Sequence, residues 1–163
     1  MLIIFSNRRL LIAAAVVAIL SGCATQPSPV SVADTLAARP ELSTLSGLIV
    51  KAGLTDSLKD SGPFTVFAPT NAAFAKVPAK TMEDLSKDPA KLKAVLTYHV
   101  VPEKVMAVDV KNSNVKTLNG ANIALSKAGE FVTVEDGMVQ TADLQATNGV
   151  IHIIDSVLIP YAR

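Results

Sequence analysis

Apolar residues follow a helical period in the first half of the chain and form short runs between turns in the second half. The segment Ser31-Val-Ala-Asp34 has the form of an N-terminal capping box. Pro40 fits the first turn of a second helix, which Gly53 ends. The apolar positions of that helix keep a period of about 3.6 residues: Leu42, Leu45, Leu48, Ile49 and Ala52.

One strand interrupts the helical half. Phe64-Thr-Val-Phe-Ala68 is rich in strand formers and is broken by Pro69. Thr70 or Asn71 is then placed to cap a short helix over residues 72–76. Either side chain can accept a backbone N–H of the first turn, and Thr70→Ala should cost about 1 kcal/mol if Thr70 is the cap residue.

Two more helix starts follow. Thr81-Met-Glu-Asp84 has the form of a second capping box, and Asp88 before Pro89 is a strong start signal. The helix after Pro89 carries one apolar stripe: Leu92, Val95, Leu96 and His99. Because His99 lies on that stripe, we expect its ring to be buried and neutral near pH 7.

The second half is predicted to be an antiparallel meander. Its short strands are separated by Asn119-Gly120, Ala128-Gly129, Asp136-Gly137 and Asn148-Gly149. Asn-Gly and Asp-Gly predict type I′ turns, which require positive φ. The last strand, Val150 to Leu158, is apolar on both faces and should run through the middle of the sheet. Helices followed by strands predict an α+β fold with N-terminal helices packed on the sheet.

The N-terminal segment has the pattern of a secretory signal. Arg8 and Arg9 precede the apolar run Leu10 to Leu20, and small residues follow. A helix over that run would rise about 16 Å, well short of a hydrocarbon core about 30 Å thick. The pattern therefore predicts a signal peptide over residues 1–22 instead of a permanent span.

Leu20-Ser21-Gly22-Cys23 resembles the bacterial lipobox. The resemblance implies that Cys23 is acylated on sulfur, for example with palmitate, and becomes the new N-terminus of a lipoprotein. Residues 23–31 would form the acylated cysteine and a linker, and residues 32–163 a single domain. In Gram-negative bacteria an Asp after the acylated cysteine is the usual signal for retention in the inner membrane. Here Ala24 follows Cys23, which implies the outer membrane if the host is Gram-negative. The alternative is an ordinary cleaved signal peptide with a cysteine near the cut.

Charge and cysteine content narrow the possible partners. Without residues 1–22 the chain keeps 13 of its 15 basic side chains and all 14 acidic ones, a formal charge of −1. That balance offers no basic surface for nucleic acid. Cys23 is the only cysteine, so the domain forms no internal disulfide.

The motifs of common enzymes are absent from the sequence. There is no Gly-x-Ser-x-Gly elbow and no His-Glu-x-x-His helix, and the two histidines lie 53 positions apart. We therefore expect no enzyme activity, no metal and no cofactor. His99 or His152 would be the base of an unrecognised hydrolase if one existed.

Three segments together resemble a fasciclin-like domain: Phe64 to Phe74, Tyr98-His99-Val-Val, and Asn148 to Leu158. The resemblance covers nearly the whole body from about Val32 and implies helices packed on a wedge of mostly antiparallel strands. It also implies a surface interaction module without a catalytic centre, with Tyr98 and His99 as partner-binding candidates. The other reading of Tyr98 and His99 is a hydrogen-bonded pair that fixes helix to sheet, and His152 and Asp155 are expected to be structural as well.

The favoured function is therefore a lipid-anchored cell-envelope module for adhesion, or for binding a matrix, protein or polysaccharide partner. The alternatives are a periplasm-facing envelope protein that binds a small ligand or assists a partner, and the unrecognised hydrolase. In each case the membrane would be reached through the lipid anchor.

Overall fold

The computed structural model describes residues 30–160, so the predicted signal peptide and Cys23 lie outside the described residues. The described helices are α1 (Val32–Ala37), a 3₁₀ turn (Pro40–Leu42), α2 (Ser43–Lys51), α3 (Asn71–Lys76), α4 (Ala79–Lys87) and α5 (Pro89–Tyr98). The described strands are β1 (Phe64–Pro69), β2 (Val100–Val101), β3 (Ser113–Lys116), β4 (Asn122–Ala128), β5 (Phe131–Val134), β6 (Gly137–Ala146) and β7 (Gly149–Ile154). Among residues 30–160, no helix is both long enough and apolar enough to cross a bilayer.

The strands form one sheet in the order β2-β1-β7-β6-β5-β4-β3. Strands β3 to β7 make the predicted antiparallel meander, while β1 runs parallel to β7 and antiparallel to β2. All six residues of β7 are buried, which confirms its central position. The α+β class with a mostly antiparallel sheet is confirmed as well.

Strand β7 ends at Ile154, four residues before the predicted end at Leu158. Its parallel neighbour β1 ends at Pro69, which is paired in register with Ile154. The Thr70 N–H donates to the Ile154 carbonyl at 3.2 Å, and Thr70 is already the N-terminal cap of α3, so β1 leaves the sheet there.

Three predicted helix caps are confirmed, and one is wrong. The side chains of Ser31, Thr70 and Asp88 accept first-turn N–H groups of α1, α3 and α5. Thr81 caps nothing, because α4 already begins at Ala79 after Pro78. The Pro78 carbonyl accepts the Met82 N–H at 3.1 Å, so Thr81 already lies inside the first hydrogen-bonded turn.

The hairpins lie where the sequence predicts them, but the predicted positions of two type I′ turns are wrong by one residue. Val134 pairs with Gly137 and Ala146 with Gly149, so these glycines belong to strands and the turns are 135–136 and 147–148. Positive φ falls on Glu135 at 51° instead of on Gly137. Gly149 is required for another reason: a Cβ there would lie 2.2 Å from the Phe64 carbonyl oxygen.

The buried side chains form two clusters that meet at the central strands. One packs α1, α2 and α5 against the sheet, and it includes Ile151 and Ile153 of β7. The other lies under the meander and includes Phe67 of β1 and Ile154 of β7. Because successive residues of a strand point to opposite faces, β7 can serve both clusters. The packing therefore explains why β7 is apolar on both faces.

Candidate functional site

Helix α5 brings the two predicted partner-binding residues to its C-terminal end. Asp88 starts the helix by accepting the N–H groups of Ala90 and Lys91 at 3.0 and 3.2 Å. The apolar face then packs into the core, so that Tyr98 is the last helical residue and His99 the C-terminal cap. Both side chains are buried, at 6% and 2% exposure respectively.

The His99 ring joins the end of α5 to the segment that follows β7. Its Nδ1 lies 2.8 Å from the Val95 carbonyl oxygen, and the Leu158 N–H donates to Nε2 at 3.0 Å. Because Nε2 accepts a proton donor, Nδ1 must carry the ring hydrogen and donate to Val95. This arrangement requires the neutral ring.

Burial lowers the pKa of His99 to about 4, although the bond to the Val95 carbonyl opposes that shift. Desolvation disfavours the charged imidazolium, and a second N–H at Nε2 would face the Leu158 N–H. The predicted burial of His99 is confirmed, and the lowered pKa keeps its ring neutral near pH 7.

The Tyr98 hydroxyl reaches the meander. It donates to the Asn122 carbonyl oxygen at 3.2 Å and lies 3.4 Å from Glu135 Oε1. The same Glu135 oxygen accepts the Ala124 N–H at 2.7 Å. Tyr98 therefore fixes the helix to β4 and to the β5–β6 turn, while His99 fixes it to the C-terminal segment.

A cleft opens beside the Tyr98 ring, which we call the Tyr98 cleft. Its volume is about 100 Å³, and it is lined by Tyr98, Glu135, Asp136, Gly137 and residues 156–159. Its lining carries one phenol and two carboxyl groups together with the apolar residues Val157, Leu158 and Ile159. Such a cleft suits a partner that combines a hydrogen-bond donor with apolar surface.

His152 holds the bulge of β6 and the loop after β2. Its Nε2 lies 2.8 Å from the Val105 carbonyl oxygen, and the Asp143 N–H donates to Nδ1 at 3.3 Å. The ring also stacks on Phe67, with centroids 5.5 Å apart. Burial lowers the pKa of His152, so this ring too is held neutral, as the opposite tautomer to His99.

Asp155 joins the end of β7 to the start of β6. Its Oδ1 accepts the Met138 N–H at 2.8 Å, and its Oδ2 lies 3.7 Å from the Lys76 ammonium. The Met138 hydrogen bond lowers the pKa of Asp155. Together with the His152 contacts, this geometry agrees with the structural role predicted for both residues.

Two asparagines make structural contacts that sequence reasoning missed. Asn71 accepts the Thr44 N–H and donates to the Pro40 carbonyl, each at 2.9 Å. Asn148 accepts the Val32 N–H at 2.9 Å and donates to the carbonyls of Leu58 and Asp60, both at 2.8 Å. In the sequence they looked like a helix cap and a turn residue, and no local signal distinguishes these roles.

Within the described part of the chain, no three His, Cys, Asp or Glu side chains lie close enough together to hold a metal ion. The histidines are fixed by separate segments, His99 by Val95 and Leu158, and His152 by Val105 and Asp143. Each ring uses both nitrogens for backbone contacts. The geometry therefore favours structural roles for both rings over acid–base chemistry.

Comparison with known proteins identifies the family. The fasciclin domain matches residues 40–160. Protein sll1483 of Synechocystis sp. is 42% identical over 147 residues, covering 88% of this chain and 80% of that protein. Immunogenic protein MPB70 of Mycobacterium bovis is 38% identical over 128 residues, covering 76% of this chain and 65% of that protein.

The fold agrees with this assignment. A solved domain pair from the insect cell adhesion molecule fasciclin I superposes with a TM-score of 0.64 at 20% identity. The match covers 80% of this chain and 51% of that one. Because the fasciclin domain matches more than half of its length, the chain belongs to the fasciclin-domain family.

Proposed function

We propose that the chain is a lipid-anchored interaction module of the cell envelope, which binds a protein or polysaccharide at the cell surface. Membership of the fasciclin-domain family is the observation that carries this proposal. A distant relative in fold is described as a cell adhesion molecule, which supports a role in adhesion or matrix contact. The lipobox-like Leu20–Cys23 supports export and anchoring to the membrane.

The geometry of the histidines supports binding over hydrolysis. A general base needs a nitrogen that can take a proton from a substrate or nucleophile. The free lone pair of His99 accepts the Leu158 N–H, and that of His152 accepts the Asp143 N–H. Each ring would have to break a hydrogen bond to the backbone before it could act as a base. We therefore propose that the protein works by binding a partner at its surface.

We place the partner contact at the Tyr98 cleft. Both side chains are buried, but Tyr98 lines this cleft and His99 does not, so His99 acts by positioning the end of α5. The Tyr98 ring contributes apolar surface to the cleft, while its hydroxyl, which donates to the Asn122 carbonyl, holds the ring in place. His99 therefore remains in the proposed site as a positioning residue.

Crosslinking in intact cells tests this proposal. We expect the protein to crosslink to a defined envelope component, and Tyr98→Phe to reduce the yield, because the hydroxyl that ties the cleft to Asn122 and Glu135 is lost while the ring is kept. Thr141→Val is the matched control, since it removes an exposed hydroxyl of β6 outside the cleft. Equal yields from both variants, with melting temperatures showing both folded, would move the contact elsewhere. Absence of any crosslinked component would argue against the interaction module itself.

A further inference from the structure

A second and larger cleft lies at the other end of the sheet, which we call the Lys104 cleft. It has a volume of about 390 Å³ and is bordered by residues 59–63, Lys104 and residues 146–149. These segments lead into β1 at Phe64 and into β7 at Gly149. The Tyr98 cleft borders Gly137 and Ser156, near the far end of β7. The two clefts therefore lie at opposite ends of the central strands.

The Lys104 cleft carries cations and hydroxyls that suit a phosphate group. Lys59 and Lys104 line it together with Ser61 and Thr147, against one carboxylate, Asp60. Lys59 lies 3.3 Å from Asp34, but that pair is half exposed and therefore weak. Lys104 has no ion-pair partner within residues 30–160, so its ammonium can engage a ligand without breaking a bond.

Hydrogen bonds join the segments that form the wall of this cleft. The Asn148 side-chain oxygen accepts the Val32 N–H, and its amide group donates to the carbonyls of Leu58 and Asp60. A Cβ on Gly62 would lie 2.0 Å from the Asn148 carbonyl oxygen, so the two backbone segments are in close contact. These contacts join the segment that carries Lys59 and Ser61 to the segment that carries Thr147.

The N-terminal segment enters the domain beside the same cleft. The Val30 carbonyl accepts the Thr147 N–H at 3.0 Å, and Thr147 is a lining residue. Six residues, 24–29, separate Val30 from Cys23, a distance of at most about 25 Å when fully extended. A lipid on Cys23 therefore keeps this end of the domain within reach of the headgroups, and the Tyr98 cleft lies at the opposite end.

From this placement we infer that the Lys104 cleft binds the phosphate of a lipid headgroup in the membrane that anchors the chain. The inference rests on the lipid anchor proposed above. Two lysines near an anionic surface form only a weak site in free solution. A short tether, however, converts binding into an intramolecular event with a high effective concentration of headgroups. The site therefore needs little intrinsic affinity, and its occupation would orient the domain.

The test uses the purified full-length lipoprotein in three environments: vesicles containing phosphatidylglycerol, vesicles of digalactosyldiacylglycerol, which has no phosphate, and detergent with inorganic phosphate. Lysine acetylation is read by mass spectrometry. We expect the acetylation of Lys59 and Lys104 to fall about fivefold in the phosphatidylglycerol vesicles relative to the galactolipid vesicles. Lys76, which contacts Asp155 at the far end of β7, is the internal control and should not change.

The outcomes separate failure of the lipid anchor from failure of the headgroup site. Flotation with the vesicles is measured first, and a chain that does not float refutes the anchor and this inference together. A chain that floats while Lys59 and Lys104 react equally in both vesicle types keeps the anchor and refutes the headgroup site. Equal protection by inorganic phosphate in detergent shows a site for free phosphate and overturns the membrane source.

Discussion

At the scale of single residues, each histidine ring holds two backbone segments together through its neutral form. His99 joins α5 to Leu158, and His152 joins the β6 bulge to the loop at Val105. Opposite tautomers serve the two sites, because in His99 the accepting nitrogen is Nε2 and in His152 it is Nδ1. Protonation would turn either acceptor into a donor facing an N–H group.

The free energy of unfolding should therefore fall in mild acid. The pKa of His99 is about 4 in the folded chain and 6.5 as its ordinary value. Between these values the unfolded state binds more protons, so stability is complete above pH 6.5 and declines as the pH falls toward 4. At pH 5 the loss from His99 is about 2 kcal/mol. Urea unfolding between pH 7 and 5 measures it, above the range in which most carboxylates titrate.

His99→Gln provides the control for this titration. The variant is less stable at pH 7, but its stability should depend less on pH, with the remaining slope coming from His152. A slope equal to that of the unmodified chain would show that His99 is not the group that titrates.

Two threonines that looked alike in the sequence should respond differently to substitution. The Thr70 hydroxyl accepts the Ala73 N–H at 3.2 Å, so Thr70→Ala should cost about 1 kcal/mol. Thr81 lies inside α4, where alanine is the better helix former, so Thr81→Ala should be neutral or slightly stabilising. Thermal unfolding compares the two variants. A larger loss at Thr81 would contradict the helix start at Ala79.

At the scale of elements, the parallel pair β1–β7 depends on close approach of the two backbones at its first residues. Phe64 is paired with Gly149, and a Cβ on Gly149 would lie 3.1 Å from the Val32 side chain as well as 2.2 Å from the Phe64 oxygen. Backbone atoms on neighbouring strands cannot move away cheaply. The sheet therefore requires glycine at this position.

Gly149→Ala should destabilise the domain by about 3 kcal/mol or more, because the strands must separate to admit the methyl group. Gly47→Ala is the matched control: the glycine lies in α2 and a Cβ there meets nothing within 4 Å. That variant should gain about 1 kcal/mol, since alanine favours the helix. Urea unfolding measures both changes, and a Gly149→Ala chain as stable as the unmodified one would contradict the register of β1 and β7.

At the scale of the whole molecule, the sheet gives the domain two distinct ends. The chain enters near Thr147 at one end, and the Tyr98 cleft opens at the other. A lipid on Cys23 would then present the Tyr98 cleft away from the membrane. This polarity links the proposed anchor to the proposed binding surface.

Cys23→Ser should release the chain from the membrane fraction without unfolding it, because the residue precedes the domain. Palmitate labelling and fractionation of cells measure the change, and Ser28→Ala in the same segment is the control that should stay anchored. Protease treatment of intact cells then separates a surface module, which is cut, from a periplasm-facing protein, which is protected. A Cys23→Ser chain that remains in the membrane would refute the anchor.

Local signals determined most of the elements. Residues at most a few positions apart predict the helix caps at Ser31, Thr70 and Asp88. They also predict the meander and the central position of β7. Each of the three segments that resemble the fasciclin domain is short and covers only one or two consecutive elements. Periodicity and capping are local interactions, which is why the sequence alone predicted the fold class and the family.

Only the tertiary structure decided how these elements are joined. The Asn148 side chain bonds Val32 across 116 positions, and Asn71 bonds Thr44 across 27. Three further features depend on the tertiary structure: the tautomers of the histidines, the need for glycine at position 149 and the opposite placement of the two clefts. Each depends on which distant backbone groups meet, and periodicity carries no information about such encounters. The sequence by itself thus determined the elements. Tertiary packing decided the contacts that join them and form the clefts.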